Sequence, residues 1–218
     1  MDRKRKQAVG RTAKHVRMRV NYQIICNAVV VCVFFTFGGG AYAGDVPTGA
    51  PVPLPFTVYT EKGDTNNHYI PSGWMGNMKG IRMDEGWPAK SPGGNTCCRF
   101  EYSEPGDWAG IAWQDSANDW GDRPGGWNLT GAKKLTFWAR GENGGERVTF
   151  KFGIIGSEKK YRDSSEGEID NLKLTKRWKR YSIKVSGKDL SRIKTGFAWA
   201  LNGQGQRVVF YLADIKFE

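Results

Sequence analysis

The chain has 218 residues, a formal charge of +11, nine tryptophans and only four cysteines. Residues 1–43 hold +7 of that charge and the remainder only +4, which argues against a nucleic-acid binder, whose basic stripe belongs to its folded part. Four cysteines exclude a disulfide-dense scaffold, so an apolar core must hold the fold.

The leader has a basic start, from Arg3 to Arg19, and an apolar stretch, residues 24–37, broken only by Asn27 and Thr36. It ends on Ala41-Tyr42-Ala43. This order reads as a secretory signal cleaved after Ala43, and the apolar run is shorter than the ~20 residues a spanning helix needs. The expected product is secreted or periplasmic, with no membrane attachment after cleavage. Residues 44–55, GDVPTGAPVPLP, carry four prolines and are expected to form a stiff, extended spacer.

From Phe56 onward, β-branched and aromatic runs alternate with Gly, Asn, Asp and Pro clusters. Strands are predicted at 56–60, 96–102, 110–114, 134–140, 147–153, 179–185, 195–201 and 208–217. Eight short strands over residues 56–218 predict an all-β fold, a two-sheet antiparallel β-sandwich of the jelly-roll kind. Side chains alternate along a strand. Leu135, Phe137, Ala139, Phe150, Phe152, Ile111, Trp113, Phe197 and Trp199 are therefore predicted to face the core. The opposite phase sends Gln114, Trp138, Arg140 and Lys151 outward, on what is expected to be one ligand-bearing sheet face. Cys97 and Cys98, the pair left after the leader, point to opposite faces and are read as unbridged, with a vicinal disulfide as the alternative.

Past the leader the sole histidine is His68, which excludes a multi-histidine zinc site and makes a Ser-His-Asp triad depend on one residue. No phosphate-cradling glycine motif or dinucleotide fingerprint occurs. Glu168-Ile169-Asp170-Asn171-Leu172-Lys173 resembles the Glu-x-Asp-x-x-Glu strand of jelly-roll glucanases, whose two glutamates are nucleophile and acid. Lys173 replaces the second glutamate, so the pair is broken, and the segment is read as a turn-rich surface stretch. The expectation is no enzyme.

All nine tryptophans lie beyond the leader. Trp74, Trp87, Trp120 and Trp127 fall among loop-type residues. An exposed indole there offers a flat apolar face to a pyranose ring, while neighbouring polar groups such as Asp119 bond its hydroxyls. The rival use of these rings is to plug the ends of the sandwich.

The segments Tyr69-Ile70-Pro71-Ser72-Gly73-Trp74-Met75-Gly76, Trp108-Ala109-Gly110-Ile111-Ala112-Trp113-Gln114 and Leu129 to Gly141 (LTGAKKLTFWARG), with the closing Phe210-Tyr211-Leu212-Ala213-Asp214-Ile215, carry a resemblance. They look like bacterial carbohydrate-binding-module-like domains of the galactose-binding-like jelly-roll superfamily. The resemblance implies a non-catalytic sandwich taking a polysaccharide or oligosaccharide, glucan-like in the generic case. It also implies a structural calcium ion clamping first strand to last, at positions matching Glu61, Asn95 and Asp214. Ala112 stands where such domains place a larger, often aromatic residue, which either changes the ligand class or moves the stacking duty to Trp138 or a loop tryptophan such as Trp74 or Trp120. Two rivals remain: a small jelly-roll glycoside hydrolase or lyase, and a structural or adhesive envelope protein.

Overall fold

The computed structural model describes residues 49–218, so the expected leader and residues 44–48 lie outside the described residues. Eleven strands follow in order: β1 (Phe56–Tyr59), β2 (Ile70–Gly76), β3 (Ile81–Ser91), β4 (Gly94–Tyr102), β5 (Trp108–Gln114), β6 (Lys134–Gly141), β7 (Arg147–Phe152), β8 (Gly167–Lys173), β9 (Lys179–Lys184), β10 (Thr195–Asn202) and β11 (Val208–Phe217). One 3-10 turn, Met78–Gly80, lies between β2 and β3. No helix among the described residues is long and apolar enough to cross a membrane.

The strands form two antiparallel sheets. Sheet A has the order β3-β4-β11-β6-β9, with β1 added on β11, and sheet B the order β2-β5-β10-β7-β8. Val208–Leu212 of β11 pairs with β4, and Ile215–Phe217 pairs with β1, with Asp214 in the left-handed region (φ 50°) at the break in register. The all-β sandwich expected from the strand pattern is the fold observed.

The two inner faces meet in one aromatic core. Phe137 lies 4.7 Å from Phe150 and 5.1 Å from Phe197, Phe100 lies 5.0 Å from Phe210, and Trp113 lies 5.5 Å from Phe197, between ring centroids. Every residue assigned inward by strand phase is buried in this core. The outer face of sheet A carries a second, smaller cluster of Cys97, Val209, Tyr211 and Ala213 beneath the half-buried Trp87, Trp138 and Trp178. Cys97 and Cys98 are free buried thiols on opposite faces of β4. Burial pushes the Cys97 thiol up to about 11 and raises that of Cys98 further.

Residues 49–55 lie along the domain. Val52 N–H donates to the Asn128 carbonyl (3.0 Å), Asn128 Nδ2 donates to the Gly49 carbonyl (2.8 Å), and Val52 packs on the core. A proline-rich composition alone predicts reach, but one apolar side chain with a docking site shortens it.

Three of the four end strands of the two sheets are irregular. β2 carries Pro71 and a register break beside Gly73, β3 carries Pro88 and two breaks, and β8 has Asn171 at φ 48°. β9 presents Lys179, Arg180 and Lys184 to solvent.

Candidate functional site

Sheet B carries a groove on its outer face. The strand registers set side chains there in cross-strand rows. One row runs Gly73, Ala112, Ala198, Lys151 and Glu168, and the next Met75, Gly110, Ala200 and Thr149. Glycine and alanine in the middle strands make the floor low. At Gly110 nothing larger fits, because an added Cβ would lie 2.5 Å from the Trp199 carbonyl.

Two adjoining cavities of about 740 and 500 Å³ occupy this face and share Trp108, Lys151 and Ala200. Trp120 borders the larger cavity. Trp108 is 47% exposed and borders both. From Gln114, where the loop bearing Trp120 begins, to Trp108 is six strand residues, or roughly 20 Å at 3.3–3.4 Å per residue. Both indoles border the larger cavity, and Trp108 stands where the two cavities meet.

One wall is polar. Lys151 Nζ pairs with Glu168 Oε2 at 2.5 Å, Thr149 Oγ1 donates to Asp170 Oδ1 at 2.8 Å, and Gln204 closes the far end by bonding both backbone groups of Arg147. This wall includes β8, so Glu168-Ile169-Asp170-Asn171-Leu172-Lys173 is a strand and not a turn-rich stretch. Its charged residues hid it, yet Ile169 and Leu172 pack inward while Glu168 and Asp170 border the groove. The carboxylates bordering the cavities, Glu166, Glu168 and Asp170, all come from β8 or the residue before it. Glycoside hydrolysis needs carboxyl groups on both sides of the scissile bond. Bordering indoles, a low floor and a wall of donors and acceptors suit a polyhydroxylated chain.

The residues expected to share one ligand face are divided. Lys151 faces the groove, but Trp138 and Arg140 belong to β6, in sheet A, and lie on the opposite outer face. The Arg140 guanidinium lies 3.7 Å from the Tyr211 ring centroid and 5.5 Å from that of Trp178. Strand phase distinguishes inside from outside, but not which sheet a strand joins, so it does not separate these four.

Gln114 and Asp119 are fully buried supports. Gln114 Nε2 donates to the Asp119 carbonyl (3.2 Å) and its Oε1 accepts from Ser72 (3.2 Å), while the Asp119 carboxylate pairs with Lys194 at 2.6 Å. Trp74 sits on β2 facing the core, and its neighbour Met75 borders the groove instead. Trp87 lies on β3 with Arg99 stacked 4.8 Å from its ring centroid, and Trp127 packs on Phe56 and His68. Trp120 lies in the loop after β5 and borders the larger cavity. Trp108 lies before the strand predicted at 110–114, so strand phase, which would set it on the outer face with Gly110 and Ala112, did not reach it.

The calcium positions lie around the β3–β4 turn. A Cβ added to Gly93 would lie 3.2 Å from Asp214 Cβ, and one on Gly94 3.6 Å from Glu61 Oε2. Calcium takes six to eight oxygen ligands. Here Lys216 Nζ sits 3.1 and 3.0 Å from the two carboxylate oxygens of Asp214, Thr96 donates to Glu61, and Asn95 is exposed. No group of three or more His, Cys, Asp or Glu among the described residues is placed to hold a metal. An ammonium already neutralises the last-strand carboxylate, so these residues do not fit a calcium ion.

The two-sheet β-sandwich is similar in fold to solved carbohydrate-binding modules. The structure is similar to the family 30 carbohydrate-binding module of the cellulosomal cellulase Cel9D-Cel44B of Clostridium thermocellum, with 14% identity, 76% of this chain and 98% of that chain covered, and a TM-score of 0.55. A second family 30 carbohydrate-binding module structure is similar at 13% identity, with 76% and 99% coverage and a TM-score of 0.52. No family model and no curated protein matches the chain.

Proposed function

We propose that the protein is an exported, non-catalytic module that binds a polysaccharide chain, glucan-like in the first instance, along the outer face of sheet B. The observation that carries this reading is the groove of two adjoining cavities bordered by Trp108 and Trp120, with a Gly/Ala floor and a polar wall from β7 and β8. Carbohydrate-binding modules among the solved structures sharing the fold support it, as does the confinement of the groove carboxylates to one wall. Export rests on the basic and apolar leader ending at Ala43.

The test is retention of the protein on a panel of insoluble and soluble polysaccharides, with reducing ends assayed in parallel. Retention without release, lost in Trp108→Ala, is expected. Release of reducing ends would instead establish a glycoside hydrolase. A stoichiometric protein complex without glycan retention would establish an adhesive envelope protein.

A further inference from the structure

The loop after β5, residues 115–126, carries Trp120 and is tied down from beneath by charged and polar groups that solvent does not reach. The side chains of Asp119 and Lys194 are 1% and 0% exposed, and their charged atoms are 2.6 Å apart. Asp119 Oδ1 accepts from the backbone N–H groups of Asp122 (3.0 Å) and Arg123 (3.3 Å), and Lys194 Nζ donates to the Arg123 carbonyl (3.0 Å). Asp115 closes the loop, its N–H donating to the Lys194 carbonyl (2.9 Å) and its Oδ2 accepting from Gly126 N–H (3.0 Å). On the far side Ser72 Oγ accepts from Asn118 N–H at 2.7 Å.

Lys194 is itself fixed from behind. The Asp163 carboxylate accepts from the backbone N–H groups of Lys194 (2.5 Å), Thr195 (3.0 Å) and Ile155 (2.9 Å). The space around the ammonium is filled, since a Cβ on Gly125 would lie 3.0 Å from Nζ and one on Gly126 2.8 Å from Cγ.

A buried ion pair is a poor way to obtain stability, because desolvating two charges offsets their attraction and apolar residues of like volume do as well or better. Its return is geometric, since the charges and their hydrogen bonds admit one arrangement. Trp120 is the next residue after Asp119, is only partly buried, and borders the groove. Its indole has no stacking partner among the described aromatic pairs, and the backbone that carries it is the one the buried pair holds.

We propose that the buried Asp119–Lys194 pair is a positioning element that holds Trp120 over the groove of sheet B, so that ligand affinity depends on two residues that do not touch the ligand. The proposal rests on the groove reading above. A loop fixed before binding leaves less ordering cost to be met on binding.

The test compares the protein, Trp120→Ala, and the double variant Asp119→Leu with Lys194→Met, which removes both charges and retains apolar volume. Three quantities are measured: melting temperature, amide hydrogen exchange of residues 115–126, and the Kd for cellohexaose. The double variant is expected to melt within a few degrees of the parent, to exchange faster at Asp122, Arg123 and Gly126, and to bind at least tenfold more weakly. A double variant that binds like the parent while Trp120→Ala loses affinity overturns the positioning role and leaves the groove reading intact. If the parent fails to bind cellohexaose, or Trp120→Ala binds unchanged, the groove reading falls and the proposal with it. Should the double variant fail to fold, Asp119→Asn alone is measured in the same way, and unchanged exchange and affinity there also overturn the proposal.

Discussion

Two tryptophans on one strand, Trp108 and Trp113, have opposite expected roles, and replacing each by alanine separates core from ligand face. Trp113 is fully buried, with Phe197, Phe100 and Tyr59 at centroid distances of 5.5, 5.9 and 6.0 Å. Truncating a buried aromatic to alanine typically costs ~3–5 kcal/mol through lost transfer energy and the cavity left behind. The buried Trp113 Nε1 has no hydrogen-bond partner among the described residues, and removing an orphaned donor offsets ~1 kcal/mol of that cost. The expected loss is therefore about 3 kcal/mol, or roughly a 6–12 °C fall in Tm for a domain of this size. Trp108 keeps nearly half its surface in water, so its truncation should cost only ~1–2 kcal/mol at ~25 cal/mol per Å² of apolar area. Urea denaturation with a common m-value measures both, and polysaccharide retention measures binding. Trp113→Ala should still bind when folded, whereas Trp108→Ala should be stable and lose at least tenfold in affinity. A Trp108→Ala protein less stable than Trp113→Ala, with retention unchanged, would refute the assignment of faces.

Excess chelator should leave the melting temperature unchanged, because Lys216 already neutralises Asp214, and a calorimetric shift of several degrees on chelation would show that a metal is held there after all. Trp138→Ala should leave polysaccharide retention intact, since that ring covers the outer face of sheet A, and loss of retention with an unchanged fold would move the ligand to that face. Burial raises the Asp163 carboxyl to about 6 against the three backbone N–H groups that donate to it. A pKa higher in the folded state stabilises the protein fully below the ordinary value of 3.8, and that contribution disappears as pH rises through about 6. The shift corresponds to at most about 3 kcal/mol, at 1.36 kcal/mol per pH unit. Unfolding free energy measured from pH 4 to 7 should therefore fall along this window, and the slope should flatten in Asp163→Asn.

The core was legible because aromatic and β-branched residues alternate cleanly where a strand is buried on one face and flanked on both sides, as in β6, β7 and β10. The strands that escaped detection, β2, β3 and β8, are each outermost in their sheet. An outermost strand has one free edge, so it tolerates Pro71, Pro88 or a row of charges that elsewhere signals a loop. Because β8 escaped, so did the groove's polar wall. Pairing between distant strands was also invisible locally. β6 and β7 are neighbours in sequence yet lie in different sheets, which separated Trp138 and Arg140 from Lys151. Asp119 had the right type and place for a sugar contact, and only its partner 75 residues on, Lys194, shows that it is a support.

The irregular outer strands bear on how this protein behaves at high concentration. A sheet with free ends can template growth, since a second copy could add a strand and fibres could follow. Here the break at Gly73, the two breaks in β3, the left-handed Asn171 and the lysines of β9 each spoil a different terminus of the two sheets. Edge-to-edge polymerisation therefore has no regular, uncharged template at these four ends, and a chain with an open groove on sheet B can stay dispersed.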